Sequence, residues 1–321
     1  MDVITSIDSN FIEKTNNFKE LIGALKTAFS DEKLLVPLRH HHDFPNPEIG
    51  KDSTLLLMPA WNPGFDAGVK VVTVSPENKQ FDLPSIQGVY IYLDVKTGAV
   101  KAILDAKALT VKRTAAASGL ASSFLSRTNS QTMLMIGTGA LAPNLIKAHT
   151  TTRPIREVFV WGRDYQKAKK ICEDLKNNSF SITPVKNIKE KIVEVDIISC
   201  ATMSKTPLVF GKYLRAGQHL DLVGAYKKDM READDETIKK SSVFVDTFQG
   251  GLKESGDVLI PLQTGILKEK DIKADLFQLC TGKKPGRNDN KEITVFKSVG
   301  HALEDLAAAK YFYQKHRNSF T

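Results

Sequence analysis

The strongest constraint in this chain is the short turn Gly137-Thr-Gly139-Ala-Leu-Ala142, which continues straight out of the apolar stretch Thr132–Ile136. Residues 140–150 follow with helical spacing. Pro143 falls in the first turn of that helix, where a missing N–H costs nothing. Each small residue has a separate purpose. Gly137 permits the tight turn, Gly139 lets the backbone approach a pyrophosphate, and Ala142 lets helix and strand pack closely. The helix N-terminus then offers N–H groups and a partial positive charge to phosphates. A lone GxGxxA signal is weak. Here a strand precedes it, a helix follows, and a second apolar run, residues 157–161, comes next. That context points to a dinucleotide-binding βαβ unit.

The surrounding pattern agrees. From residue 132 onward, apolar β runs alternate with helical stretches, at residues 132–136, 157–161, 195–201, 219–223, 242–246 and 293–296. Such alternation predicts a parallel sheet covered on both faces. Before residue 105 the pattern differs. Residues 17–30 have helical spacing, and short strand-like runs at 34–39, 53–59, 68–74, 88–94 and 99–104 are separated by turn residues. Asp94-Val-Lys-Thr-Gly98 reads as a hairpin turn, and the Ala-rich residues 105–126 read as a helix. A last helix, residues 302–315, is expected to return to the N-terminal part. The expected class is α/β: a Rossmann doubly wound parallel sheet over 113–300, plus a smaller α+β domain formed by 1–112 with 301–321. At 321 residues, two domains are also the prior from length.

Charge and cysteine usage exclude several classes. Lys+Arg 45 against Asp+Glu 37 gives +8, spread along the chain without a basic run. A nucleic-acid partner would need a clustered stripe, whereas a basic pocket for an anionic ligand fits. Three separated cysteines suggest neither a disulfide framework nor a zinc site. The N-terminus lacks a basic-then-apolar leader pattern, and no apolar run reaches the roughly 18 residues that span a bilayer. The expectation is a cytoplasmic protein with no membrane, nucleic-acid or metal partner.

Cofactor choice is read about 20 residues past the motif. There the sequence is Trp161-Gly162-Arg163-Asp164. An acid at the strand end would hold the ribose hydroxyls of NADH. Gly162 followed by Arg163 favours NADPH instead, because a guanidinium pairs a phosphate bidentately. Asp164 keeps NADH open, its alternative role being a helix N-cap. Three further cations stand in apolar surroundings: Lys70 among β-branched residues, Arg113 in the Ala-rich helix, and Arg39 after Leu34-Leu-Val-Pro-Leu38. Singly, such a cation is usually snorkelling or salt-bridged. Together they read as a carboxylate pocket. In Arg39-His-His-His-Asp43 only His40 and His42 share a strand face. With no partner ligands at metal spacing elsewhere, an edge strand or loop beside the pocket is the expectation.

Several segments together resemble the ornithine cyclodeaminase/mu-crystallin family. They are Gly68-Val-Lys70-Val-Val, Leu109-Thr-Val-Lys-Arg113-Thr-Ala-Ala-Ala-Ser118, the glycine turn, Val223-Gly-Ala225 with Arg231-Glu232, Lys253-Glu-Ser-Gly-Asp257, and Phe296-Lys-Ser-Val-Gly300 with Glu304-Asp-Leu-Ala307. The resemblance implies a homodimer, with the smaller domain carrying substrate and dimer contact and the Rossmann domain carrying NAD(P). It implies that Arg39, Lys70 and Arg113 hold a substrate carboxylate. It places cofactor contacts on Gly137, Gly139, Ala140, Leu141, Gly162 or Arg163, Thr202, Asp221, Val223 and Gly224, with Ser85 and Ser298 as further carry-overs. One departure matters. The family's cyclodeaminases place a catalytic Asp where this chain has Tyr226. A phenol is a poor base at neutral pH. Reduction of a cyclic ketimine needs no such group.

The expected activity is therefore NADPH- or NADH-dependent reduction of a small imino acid, Δ1-pyrroline-2-carboxylate or its six-membered homologue. Lys70 would deliver a proton if burial lowers its pKa, and Asp305 would balance the iminium charge. Alternatives are an ornithine cyclodeaminase, an alanine-type amino-acid dehydrogenase and a non-catalytic, crystallin-like NADPH-binding protein.

Overall fold

The computed structural model describes residues 4–176 and 178–319. The chain divides into two compact units. One runs through Thr114 and resumes at His301, and the other is Ala115–Gly300.

The first unit opens with strand β1 (Thr5–Ile7) and helices α1 (Ser9–Thr15) and α2 (Phe18–Ser30), the latter capped by Asn17. Strands β2 (His40–Phe44), β3 (Ser53–Asn62), β4 (Asp66–Val74), β5 (Ile86–Asp94) and β6 (Val100–Asp105) follow. They form a sheet in the order β1-β6-β5-β4-β3-β2, antiparallel except for the parallel β1–β6 pair. The β5–β6 turn closes through the Gly98 amide on the Asp94 carbonyl, 2.9 Å away. The expected strand at 34–39 does not form. Leu35 alone bridges to Trp61, and Pro37 in this run has no N–H to continue the ladder. The edge strand is β2 instead, all five residues of which are exposed.

Helix α3 (Ala106–Leu125) leads into the second unit. There lie β7 (Thr132–Ile136), α4 (Ala142–Thr152), β8 (Glu157–Trp161), α5 (Tyr165–Leu175), β9 (Ser181–Pro184), α6 (Ile188–Ile192), β10 (Ile197–Cys200) and β11 (His219–Leu222). Then come α7 (Asp235–Lys240), β12 (Ser242–Val245), α8 (Phe248–Gly251), α9 (Gly256–Gln263), β13 (Ala274–Asp275), α10 (Leu276–Cys280) and β14 (Thr294–Lys297). The strands form one parallel sheet, β13-β12-β14-β11-β10-β7-β8-β9. Strand order reverses between β7 and β10, the switch point at which doubly wound folds bind ligands. Sequence reading finds six of these strands and misses β9 and β13. The last strand, β14, inserts between β11 and β12.

Helix α11 (Ala302–Asn318) returns to the first unit and packs on α2 and on β3, β4 and β5. Among the described residues no helix is long and apolar enough to cross a membrane.

Candidate active site

In the first unit, sheet alternation decides which side chains face α11. One inward row is Met58, Lys70, Tyr90 and Leu104, set by the registers of β3 to β6. Lys70 is therefore buried by strand geometry, at 4% exposure. Arg113, on α3, is 5% exposed. Neither cation stands alone. Lys70 Nζ lies 2.8 Å from Asp305 Oδ2. Arg113 donates through Nε to Asp305 Oδ1 at 3.0 Å and through Nη1 to Glu304 Oε2 at 2.7 Å. Both acids are fully buried in the first turn of α11, where the helix dipole favours negative charge. The salt-bridged reading of these cations is thus the geometric fact, with Asp305 joining Lys70 to Arg113.

The electrostatics follow. Burial pulls Lys70 down to about 8, opposed by Asp305 and assisted by the charges of Arg113 and Arg39. Burial pushes Asp305 up, but Arg113 and Lys70 outweigh it and hold the carboxyl below its ordinary value. Arg113 feels burial too, and its two acids override it to raise its pKa. Lys70 is therefore set closer to neutrality than an ordinary lysine, beside a carboxylate held in its ionised form. Arg39, half-buried before β2, is near enough for its charge to act on Lys70. Ser85 stands in this same unit, exposed, with its carbonyl accepting from the Ser75 amide at 2.8 Å. A separate cavity of about 390 Å³ opens in this unit between α2 and α11, and none of the cluster's residues line it.

In the second unit the glycine turn sits at the C-terminal edge of the sheet. Gly137 has φ +123°, and a Cβ there would meet the Ala201 carbonyl oxygen at 2.5 Å. A Cβ on Gly139 would meet no atom within 4 Å, so the face of the turn that would receive a pyrophosphate is open. Ala142 is fully buried in the first turn of α4. The residues present thus fit a dinucleotide.

Thr202 and Val223–Gly224 follow β10 and β11 on this edge. Gly162 directly follows β8, at a place where a Cβ would press into the Thr138 side chain at 2.5 Å. That contact by itself accounts for the glycine. Arg163 beside it is exposed, and Asp164 caps α5 by accepting from Gln166 N at 2.9 Å.

Two expected cofactor residues are turned elsewhere. Asp221 is fully buried, and its carboxylate accepts from Ser199 Oγ at 2.7 Å and pairs with His149 Nε2 at 3.0 Å. The Ser298 hydroxyl donates to Asp246 at 3.3 Å inside the unit. Both side chains are buried and engaged inside the unit. Sequence reading did not assign Glu304, Glu232 or Asp246 a role. Glu304 stands next to Asp305, and its position in the helix's first turn was the available signal. Among the described residues no three His, Cys, Asp or Glu side chains group as metal ligands.

Comparison with known proteins gives a consistent result. The profile of the ornithine cyclodeaminase/mu-crystallin family matches residues 6–319. Protein SAR DEFICIENT 4 of Arabidopsis thaliana is 40% identical, over 87% of this chain and 86% of its own. A Delta(1)-pyrroline-2-carboxylate reductase of Colwellia psychrerythraea is 36% identical, over 96% of this chain and 98% of its own. Among solved structures, the Thermococcus litoralis Delta(1)-pyrroline-2-carboxylate reductase in complex with NADH and L-proline superposes with a TM-score of 0.91. Its identity is 35%, and the match covers 99% of both chains. An archaeal alanine dehydrogenase dimer with bound NAD gives 0.90 at 27% identity, over 99% of this chain and 97% of its own.

Proposed function

Because this chain belongs to the ornithine cyclodeaminase/mu-crystallin family, we propose that it reduces the C=N bond of Δ1-pyrroline-2-carboxylate with NADH or NADPH, giving L-proline. The six-membered Δ1-piperideine-2-carboxylate, giving L-pipecolate, is the second substrate of the same class. The observation that carries this reading is the buried cluster of Lys70, Asp305, Arg113 and Glu304.

Reduction adds one hydride and one proton across C=N, and reduced nicotinamide supplies the hydride. The remaining demands fall on the first unit. A substrate bearing a carboxylate and an iminium needs both signs of charge. Lys70 and Arg113 stand against Glu304 and Asp305, and the Arg39 charge is felt at Lys70, so the cluster supplies both signs. A wall of cations alone would repel the iminium. At about 4 Å, one such unit-charge repulsion costs on the order of 4 kcal/mol at an effective dielectric near 20. Asp305 offsets that repulsion and keeps Lys70 oriented. Arg113, fixed by two acids, holds the carboxylate in one pose, so that positioning contributes much of the rate. Lys70 Nζ passes its proton to the neutral imine nitrogen, which gives the iminium that accepts the hydride and leaves Lys70 as the amine.

Arg163 supports NADPH over NADH, since it is exposed at the strand end while Asp164 caps α5. A homodimer is supported by the outward face of the six-stranded sheet. Pro59, Val69, Ile91 and Ile103 form one apolar row there, with Leu57, Val71 and Val89 beside it. Val89 is 40% and Ile103 37% exposed. A face of this kind is ordinarily covered.

The assay mixes purified protein with NADPH or NADH and Δ1-pyrroline-2-carboxylate and follows the nicotinamide absorbance. Oxidation with the imine but not with pyruvate plus ammonia is expected. Ammonia release from ornithine without net cofactor change would overturn the reading.

A further inference from the structure

Three motifs that sequence reading quotes without a role meet in one buried chain of the second unit. Lys297 of β14, Asp257 of α9 and Glu232 are all fully buried. Lys297 Nζ lies 3.1 Å from Asp257 Oδ2. Asp257 Oδ1 accepts from the amides of Glu232 and Ala233 at 2.7 and 3.2 Å. The Glu232 carboxylate reaches two loops at once. Its Oε1 accepts from the Thr202 amide at 2.7 Å and the Thr202 hydroxyl at 2.8 Å. Its Oε2 accepts from the amides of Gly224 and Ala225 at 2.8 and 3.2 Å. The loops so joined are those after β10 and β11. They touch backbone to backbone, because a Cβ on Gly224 would lie 2.0 Å from the Thr202 nitrogen.

We infer that Glu232, held by Asp257 and Lys297, is a positioning residue that fixes the Thr202 and Gly224–Ala225 backbones in the arrangement a dinucleotide needs. Four donors on one carboxylate leave little freedom, since a buried N–H that loses its acceptor costs about 1–3 kcal/mol. Two loops that a ligand would otherwise have to order are therefore ordered beforehand, which lowers the cost of binding. Glutamine could not substitute. Its amide would present N–H groups to the Gly224 and Ala225 donors or to those of Thr202. The inference rests on the reading of this edge as the dinucleotide site.

Hydrogen–deuterium exchange on the full-length protein without cofactor tests the clamp directly. The amides of Thr202 and Ala225 should exchange about a hundredfold more slowly than exposed loop amides. Exchange at open-loop rates would overturn the inference whatever a variant does. Glu232→Gln should then raise the dissociation constant for NADH or NADPH, read by nucleotide fluorescence, at least about tenfold. At saturating cofactor, kcat should fall less than about threefold, a split that general destabilisation would not give. Lys297→Met should shift binding in the same direction. The double variant should lose less than the product of the two, because the residues act in one chain. Protected amides together with wild-type affinity in Glu232→Gln would sink the inference alone. Failure of the wild-type protein to bind either nucleotide would sink the reading of the edge, and the inference with it.

Discussion

In the six-stranded unit, buried carboxylates face buried cations. Glu304 and Asp305 take the side chains of Arg113 and Lys70. In the eight-stranded unit, buried carboxylates face mainly backbone. Glu232 takes the amides of Thr202, Gly224 and Ala225. Asp246 takes those of Val299 and Gly300, both at 2.7 Å. The first arrangement holds charged side chains in fixed orientations, which suits the small ionic substrate proposed above. The second leaves shaped main chain, suited to a long ligand recognised along its phosphates and ribose. The difference is one of tolerance. Losing an acid among paired cations strands a charge, whereas losing one beneath a loop loosens a surface.

Asp305→Asn should therefore give the largest effect. It keeps shape but leaves Lys70 and Arg113 facing each other with half their compensation. Steady-state oxidation of NADPH with the imine should show kcat/KM down by about a thousandfold. Stability should fall by about 3–5 kcal/mol, read in denaturant, because a buried pair is broken from one side. A value within threefold of wild type would mean the cluster merely holds α11 to the sheet. Arg113→Ala should come next. It should raise KM for the imine and lower kcat together, costing about a hundredfold in kcat/KM, because the guanidinium both binds and orients. An unchanged kcat would remove it from the orienting role.

The sequence made much of this visible, for identifiable reasons. The strands β7, β10, β11, β12 and β14 are almost wholly buried and β8 buries alternate residues, so their apolar runs announce themselves. β9 is missed because it is a half-exposed edge with Ile182 as its apolar centre, and β13 because it has two residues. β2 carries no burial pattern, since all its residues are exposed. Lys70 and Arg113 stand out as charges in apolar company. Their partners do not, because Arg113 and Glu304 are 191 residues apart and only the return of α11 brings them together. The Lys297–Asp257–Glu232 chain was equally hidden. Its residues lie in separate motifs, and a shared role depends on tertiary register.

The pH profile sharpens the comparison within the first unit. Lys70 is held at about 8, below its ordinary value, mainly by burial. It is an ammonium below that pH and an amine above it. If the ammonium donates the proton, kcat/KM should be level below pH 8 and fall about tenfold per unit as pH rises beyond it. Lys70→Arg keeps the charge but not a titratable proton, so its slower rate should be flat over the same range. A wild-type profile without a basic limb near pH 8 would transfer the proton-donor role away from Lys70.

The smallest expected effect probes the second unit, at the one exposed side chain proposed to meet the nucleotide. Arg163 stands at the end of β8 and pairs with a 2′-phosphate if the enzyme prefers NADPH. Arg163→Ala should then raise KM for NADPH by about tenfold, the worth of one exposed charge-assisted contact, and leave KM for NADH unchanged. The same substitution should not alter KM for the imine, because Arg39, Lys70 and Arg113, the residues proposed to hold it, belong to the other unit. An equal rise for both nucleotides would show that Arg163 supports the loop after β8 in general. An unchanged KM for both would leave the choice of nucleotide to the backbone at Gly162, packed against Thr138.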